Sequence, residues 1–89
     1  MKENFYIQFG KEDLDKALHC AEIIKNRNYS SYSSLKIDIE YQHNEYKDPI
    51  AIWTSLSEDV FVNVANESNK KYWKENDIKE ITYEEFLDL

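Results

Sequence analysis

The sequence LKIDIEYQHNEYKDPIAIWTSLSEDVFVNVA spans residues 35–65, and its pattern decides the predicted fold. Its first part alternates apolar side chains with charged or polar ones; the apolar positions are Leu35, Ile37, Ile39 and Tyr41. A period of two places alternate side chains on one face of a strand. Two more apolar runs follow, at residues 50–54 and 60–64, each preceded by a turn-rich segment. The stretch therefore predicts three consecutive strands of an antiparallel sheet.

The rest of the chain predicts elements that pack against these strands. Residues 4–9 alternate as a first strand, and residues 11–27 carry apolar side chains at helical spacing. The side chains expected to cover the sheet are Leu14, Leu18, Ala21 and Ile24. Residues 66–76 fit either a short helix or a long loop, and residues 78–82 a short fifth strand. Thr82 and Glu85 match a capping box ahead of a last helical turn.

These elements predict the α+β class, with residues 1–89 forming a single small domain. The expected order is β-α-β-β-β, an antiparallel sheet with one main helix on one face and a short C-terminal helical turn. Eighty-nine residues with 42% apolar side chains suffice for one modest core.

Composition limits where the protein acts and what it binds. A single cysteine forms no intramolecular disulfide, which indicates a reducing, cytoplasmic setting. No long apolar run is present, so a membrane span or signal peptide is not expected. The net charge of −7 disfavours direct binding to nucleic acid or to an anionic membrane.

Residues that could carry catalysis or bind a metal are sparse. His19 and Cys20 are neighbours on the predicted helix and His43 is distant in sequence, which falls short of a zinc pattern. Cys20 borders the apolar face of the helix, where thiols are usually inert. Gly10 is the only glycine, so no glycine-rich phosphate loop exists. We therefore expect a protein that is not an enzyme and needs no metal or cofactor.

Carboxylates are concentrated between residues 38 and 59, where a single cation, Lys47, accompanies them. The six candidate partner-binding residues are Asp38, Glu40, Glu45, Asp48, Glu58 and Asp59. On a strand, Asp38 and Glu40 would project from one face about 7 Å apart, close to the phosphate repeat of one DNA strand. This acidic surface either keeps the protein soluble or mimics DNA toward a basic partner.

The aromatic residues leave two alternatives open. Phe5, Phe9, Tyr41, Phe61 and Phe86 are expected in the core. Trp53 shares a strand face with Ala51, opposite Ile50 and Ile52, and belongs either to a second buried layer or to an exposed interface.

The C-terminal segment KEITYEEFL, residues 79–87, resembles the ends of small proteins encoded by phages of low-GC Gram-positive bacteria. The resemblance covers about ten residues and has no motif that assigns a role to any one of them. It implies a class of host-takeover and anti-defence factors. Some members of that class occupy the DNA-binding surface of a host protein, such as the nucleoid protein HU, by mimicking DNA.

Together these observations predict a non-enzymatic inhibitor that binds a basic, DNA-binding host protein through its acidic surface. One alternative is a small-ligand-binding anti-defence protein with a pocket around Trp53, Lys70 and Tyr72. Another is a structural module that assembles as a homodimer or larger homo-oligomer through Trp53.

Overall fold

Two apolar runs with alternating side chains form the centre of the sheet, as the sequence predicts. The computed structural model describes residues 4–26, 30–31, 35–54 and 59–88. Its strands are β1 (Phe5–Phe9), β2 (Ser30–Ser31), β3 (Ile50–Thr54), β4 (Asp59–Val64) and β5 (Lys79–Glu80). Its helices are α1 (Leu14–Asn26), α2 (Leu35–Glu45), α3 (Glu67–Glu75) and α4 (Tyr83–Leu87), and a 3₁₀ turn at Lys11–Asp13 precedes α1. The α+β class is confirmed.

The sheet is mixed rather than antiparallel, which corrects the prediction. Its strand order is β2-β4-β3-β1-β5. The three central strands pair antiparallel, with Ile7 opposite Ile52 and Ile52 opposite Val62. The two short outer strands pair in parallel, β5 beside β1 and β2 beside β4. Since β5 spans only Lys79–Glu80, the predicted fifth strand is shorter than expected.

The stretch predicted as the second strand is the helix α2, so that prediction is wrong. Leu35 and Ile39 are buried, and Gln42 is half-buried, which is the i, i+4, i+7 spacing of one helix face. Ile37 and Tyr41, expected on the same face as Leu35, are 68% and 58% exposed. Because Leu35 and Ile39 satisfy both the strand and the helix pattern, alternation alone could not distinguish the two structures.

Side-chain contacts hold α2 against its neighbours. The Gln42 amide donates a hydrogen bond of 2.7 Å to the Val62 carbonyl on β4. Lys36 pairs with Glu22 of α1 at 2.5 Å. At the other end, the Lys11 ammonium donates to the carbonyls of His43 and Tyr46, which belong to the last turn of α2 and the residue after it. The Gln42 hydrogen bond satisfies a backbone carbonyl at the edge of β4. The Lys11 ammonium stabilises the negative end of the α2 dipole.

Helices α1 and α2 both pack on one face of the sheet, where a single main helix was expected. The fully buried face of α1 consists of Ala17, Cys20, Ala21 and Ile24. Leu14 and Leu18, which the sequence predicts among the side chains that cover the sheet, pack at its border and are only partly buried. Phe86 of α4 completes this core and lies in ring contact with Phe5.

Helix α3 covers the opposite face, which settles two open questions. Residues 66–76 form a helix because the Asn66 side chain accepts the Asn69 N–H at 2.8 Å, an N-cap that starts α3. Trp73 of α3 is buried against Ala51, Ala65 and Ile78. Trp53 packs partly buried beside them and donates a hydrogen bond of 2.8 Å to Asn63. Trp53 therefore belongs to a second apolar layer.

Helix α4 begins with the capping box that the sequence predicts. The Thr82 hydroxyl accepts the Glu85 N–H, and the Glu85 carboxylate accepts the Thr82 N–H, both at 3.0 Å. This capping box starts α4 and turns Phe86 into the core. No helix within the described ranges has the length and apolar character needed to cross a membrane.

Candidate functional sites

The acidic surface predicted from the sequence is built on α2 instead of on a strand. At 100° per residue, Asp38 and Glu40 point about 200° apart around the helix axis, so they cannot form a row on one face. Their predicted 7 Å spacing along a strand is therefore wrong. Asp38 is half-buried, and Glu40 and Glu45 are exposed. Asp48 is also exposed, in the bend that follows α2.

The other two predicted carboxylates do not join this group. Glu58 lies outside the described residues. Asp59 begins β4 and is half-buried. Along the strand it alternates with Val60, which packs in the core beneath α1 and α2, so Asp59 belongs to the opposite sheet face. Asp38, Glu40, Glu45 and Asp48 thus lie on or next to α2 and point in different directions, and Asp59 lies on the opposite sheet face.

The outward face of α2 contains two residues that the sequence analysis placed on the apolar face of a strand. Ile37 and Tyr41 are one helical turn apart and both are largely exposed. Helical geometry places Glu40 on one side of this pair and Asp38 and Glu45 on the other. We call this surface, made of Ile37, Asp38, Glu40, Tyr41 and Glu45, the α2 face. The sequence signal that could have revealed it is the i, i+4, i+7 spacing of Leu35, Ile39 and Gln42.

Residues considered for catalysis or metal binding contribute to the packing of the fold. His19 Nδ1 shares a hydrogen bond with the Tyr83 hydroxyl. His43 Nε2 donates to the Lys11 carbonyl at 2.8 Å, which requires the proton on that nitrogen. The Cys20 side chain is fully buried in the core. Across the described ranges, no three His, Cys, Asp or Glu side chains are grouped so that they could hold a metal ion.

A second candidate site, a groove, lies on the α3 side of the sheet. This groove has a volume of about 460 Å³, and its lining residues are Tyr6, Lys70, Lys74, Asp77, Ile78, Lys79 and Glu80. The sequence analysis named Lys70 for such a pocket, together with Trp53 and Tyr72. In the described part of the chain those two rings meet edge to face, 5.8 Å apart, and do not line the groove.

Tyr6 is held in place at the edge of this groove. Its ring stacks on Trp73 with the centroids 4.3 Å apart. Partial burial raises the pKa of the Tyr6 hydroxyl, and the negative charge of Glu80 and a hydrogen bond to its carboxylate raise it further. A protonated hydroxyl that donates to Glu80 therefore fixes the orientation of both side chains at neutral pH.

Comparison with known protein families, with curated proteins and with solved structures found no match for this chain. Its function is therefore inferred from its own residues.

Proposed function

We propose that the protein is a non-enzymatic inhibitor of the kind that phages encode, which binds a basic, nucleic-acid-binding host protein through the α2 face. The observation that carries the proposal is the exposure of Ile37 and Tyr41 between flanking carboxylates. Large apolar side chains at helix positions i and i+4 normally face a core, and here the core contacts are made by Leu35 and Ile39. Exposed apolar groups inside a charged rim are typical of a protein-binding surface.

The charge of the α2 face indicates the kind of partner. Glu40 and Glu45 are exposed on opposite sides of the apolar pair, and Asp48 follows in the adjoining bend. A basic protein would meet complementary charge on approach, which speeds association and gives specificity. Tyrosine at the centre of such a surface supplies a large contact area, and interface hot spots are enriched in this residue.

The acidity also argues against the homodimer alternative at this surface. Two copies related by a twofold axis would bring the same carboxylates together, and each chain carries a net charge of −7. The Trp53 patch on which that alternative depended is partly buried beside Trp73. A basic partner is therefore favoured over a second copy of the chain.

The mode of inhibition differs from the row of phosphate-spaced carboxylates considered in the sequence analysis. The carboxylates of α2 diverge around a helix, so they do not repeat along a line as phosphates do. Inhibition follows if the α2 face covers the basic residues that otherwise contact nucleic acid. The match required is one of charge and surface rather than of phosphate spacing.

Affinity capture with charge-reversed variants tests this proposal. Glu40→Lys with Glu45→Lys reverses the rim of the α2 face. The matched control, Asp15→Lys with Glu84→Lys, changes net charge equally at exposed sites elsewhere. We expect wild type and control to capture the same basic protein from a bacterial lysate at low salt, and less of it at high salt. We expect the α2 variant to capture none. Equal capture by both variants would exclude the α2 face.

A further inference from the structure

Lys11 joins the end of β1 to the last turn of α2 through hydrogen bonds in both directions. Its ammonium donates to the backbone carbonyls of His43 and Tyr46. In return, the His43 Nε2 donates to the Lys11 backbone carbonyl at 2.8 Å. Each of these two side chains therefore binds the backbone of the other residue, although 32 positions of sequence separate them.

The backbone of Lys11 is a fixed support for these contacts. Phe9, at the end of β1, is paired with Ile50 of β3 in the centre of the sheet. The Asp13 N–H donates to the Gly10 carbonyl at 3.0 Å and closes the 3₁₀ turn that contains Lys11. The ammonium therefore reaches α2 from a segment that backbone hydrogen bonds hold on both sides.

The segment that Lys11 holds contains the acidic end of α2 and contributes no buried side chain. Residues 44–48 are all exposed. The two carbonyls that Lys11 binds, on His43 and Tyr46, lie on either side of Glu45 in the sequence, and Asp48 follows two residues after Tyr46. Because no side chain of this segment is buried, hydrogen bonds rather than core packing determine its position.

The His43 ring depends on the same contact. Its Nδ1 atom is buried, and it has no hydrogen-bond partner among the described residues. The bond from Nε2 to the Lys11 carbonyl therefore orients the ring at this end of the helix. Loss of the contact with Lys11 would release the side chain of His43 as well as the two carbonyls.

From these contacts we propose that Lys11 is a positioning residue for the α2 face: it sets where Glu45 and the adjoining Asp48 lie. The inference rests on the proposed function of that face and names a residue outside it on which binding depends. A carboxylate at a fixed position gives a basic partner a defined contact. A frayed helix end would have to be ordered on binding, at a cost in conformational entropy.

The positive charge of Lys11 makes charge and position predict opposite results. An ammonium beside an acidic surface reduces the attraction of that surface for a basic partner. If only charge mattered, removal of the Lys11 ammonium would therefore strengthen binding. If Lys11 positions the carboxylates, the same removal weakens binding.

Equilibrium binding to the basic protein captured by the wild-type chain distinguishes the two. We expect Lys11→Met to raise the Kd about fivefold or more, and Lys11→Arg, which keeps the charge and N–H donors, to restore most of the affinity. The control, Lys70→Met, makes the same charge change at an exposed site on α3, across the sheet, and should not weaken binding.

Unchanged or tighter binding by Lys11→Met overturns the inference. That result leaves the proposed function intact as long as Glu40→Lys with Glu45→Lys still abolishes capture, so the two failures are distinguishable. Weaker binding by Lys11→Met that Lys11→Arg does not restore would also overturn it.

Hydrogen exchange in the free chain tests the positioning role without a partner. The Tyr46 N–H donates to the Gln42 carbonyl at 3.1 Å, at the end of α2 that Lys11 holds. We expect this amide to exchange at least about threefold faster in Lys11→Met than in wild type. The rate should return toward wild type in Lys11→Arg and stay unchanged in Lys70→Met. An unchanged rate in Lys11→Met would show that α2 ends in the same way without Lys11, which contradicts the inference.

Discussion

At the scale of single residues, Ile37 and Ile39 distinguish the helix from the predicted strand. Their side chains are identical and would lie on one face of a strand, yet Ile39 is fully buried and Ile37 is 68% exposed. We predict that Ile39→Ala lowers the free energy of unfolding by about 2–5 kcal/mol, because it leaves a cavity in the core. Ile37→Ala should change it by less than about 0.5 kcal/mol. Urea denaturation measures the free energy of unfolding of both variants. Equal losses would favour the predicted strand over the helix.

Tyr6 gives a residue-scale prediction for alkaline pH. Burial and Glu80 raise its pKa above the ordinary value of 10.0, so the folded state holds the proton more tightly than the unfolded state. The stabilisation is fully present below pH 10 and is lost as the pH rises through the folded pKa. Tyrosinate absorbance is followed against pH in wild type and in Tyr6→Phe, and the difference between the two curves should show the raised pKa of Tyr6. Glu80→Gln should move it down, and no movement would contradict the contact.

At the scale of elements, α2 shows what the sequence could and could not predict. The strands β1, β3 and β4 were predicted because their inward residues alternate without a competing helical pattern. In α2 the same alternation coexists with helical spacing at Leu35, Ile39 and Gln42. The choice between them depends on the contacts of α2 with α1 and β4, which lie outside the segment itself. The tertiary contacts therefore outweigh the strand propensity of the β-branched residues in this segment.

At the same scale, we predict that Gln42 anchors α2 to the sheet. The Gln42 amide donates to the Val62 carbonyl at an edge that β2 does not reach. Gln42→Ala should lower the free energy of unfolding by about 1–3 kcal/mol, because the Val62 carbonyl loses its hydrogen-bond donor in a partly buried site. Asn44→Ala, which alters an exposed amide on the same helix, should be nearly neutral. Thermal unfolding compares the two, and an equal shift would mean that Gln42 does not anchor the helix.

The two candidate sites could be predicted from the sequence only in part. The carboxylates of α2 were found from the sequence because charge is a property of composition, but their directions depend on the helix. The groove was anticipated only through Lys70, because it also needs Tyr6 from β1 and Lys79 from β5. Those residues meet through the parallel pairing of β5 with β1, which no short-range pattern indicates.

At the scale of the whole molecule, the two sites lie on different layers of the fold. The α2 face belongs to the helical layer that also contains α1, and the groove lies on the side covered by α3.

The central claim is that the α2 face binds the surface with which a basic host protein contacts nucleic acid. The most direct measurement is equilibrium binding of the chain to its captured partner, with duplex DNA added in increasing amounts at constant salt. We predict that DNA displaces the chain completely, and that the apparent Kd rises in proportion to DNA once DNA exceeds its own Kd for the partner. A complex that contains partner, DNA and the chain together, with the affinity of the chain unchanged, would contradict the claim.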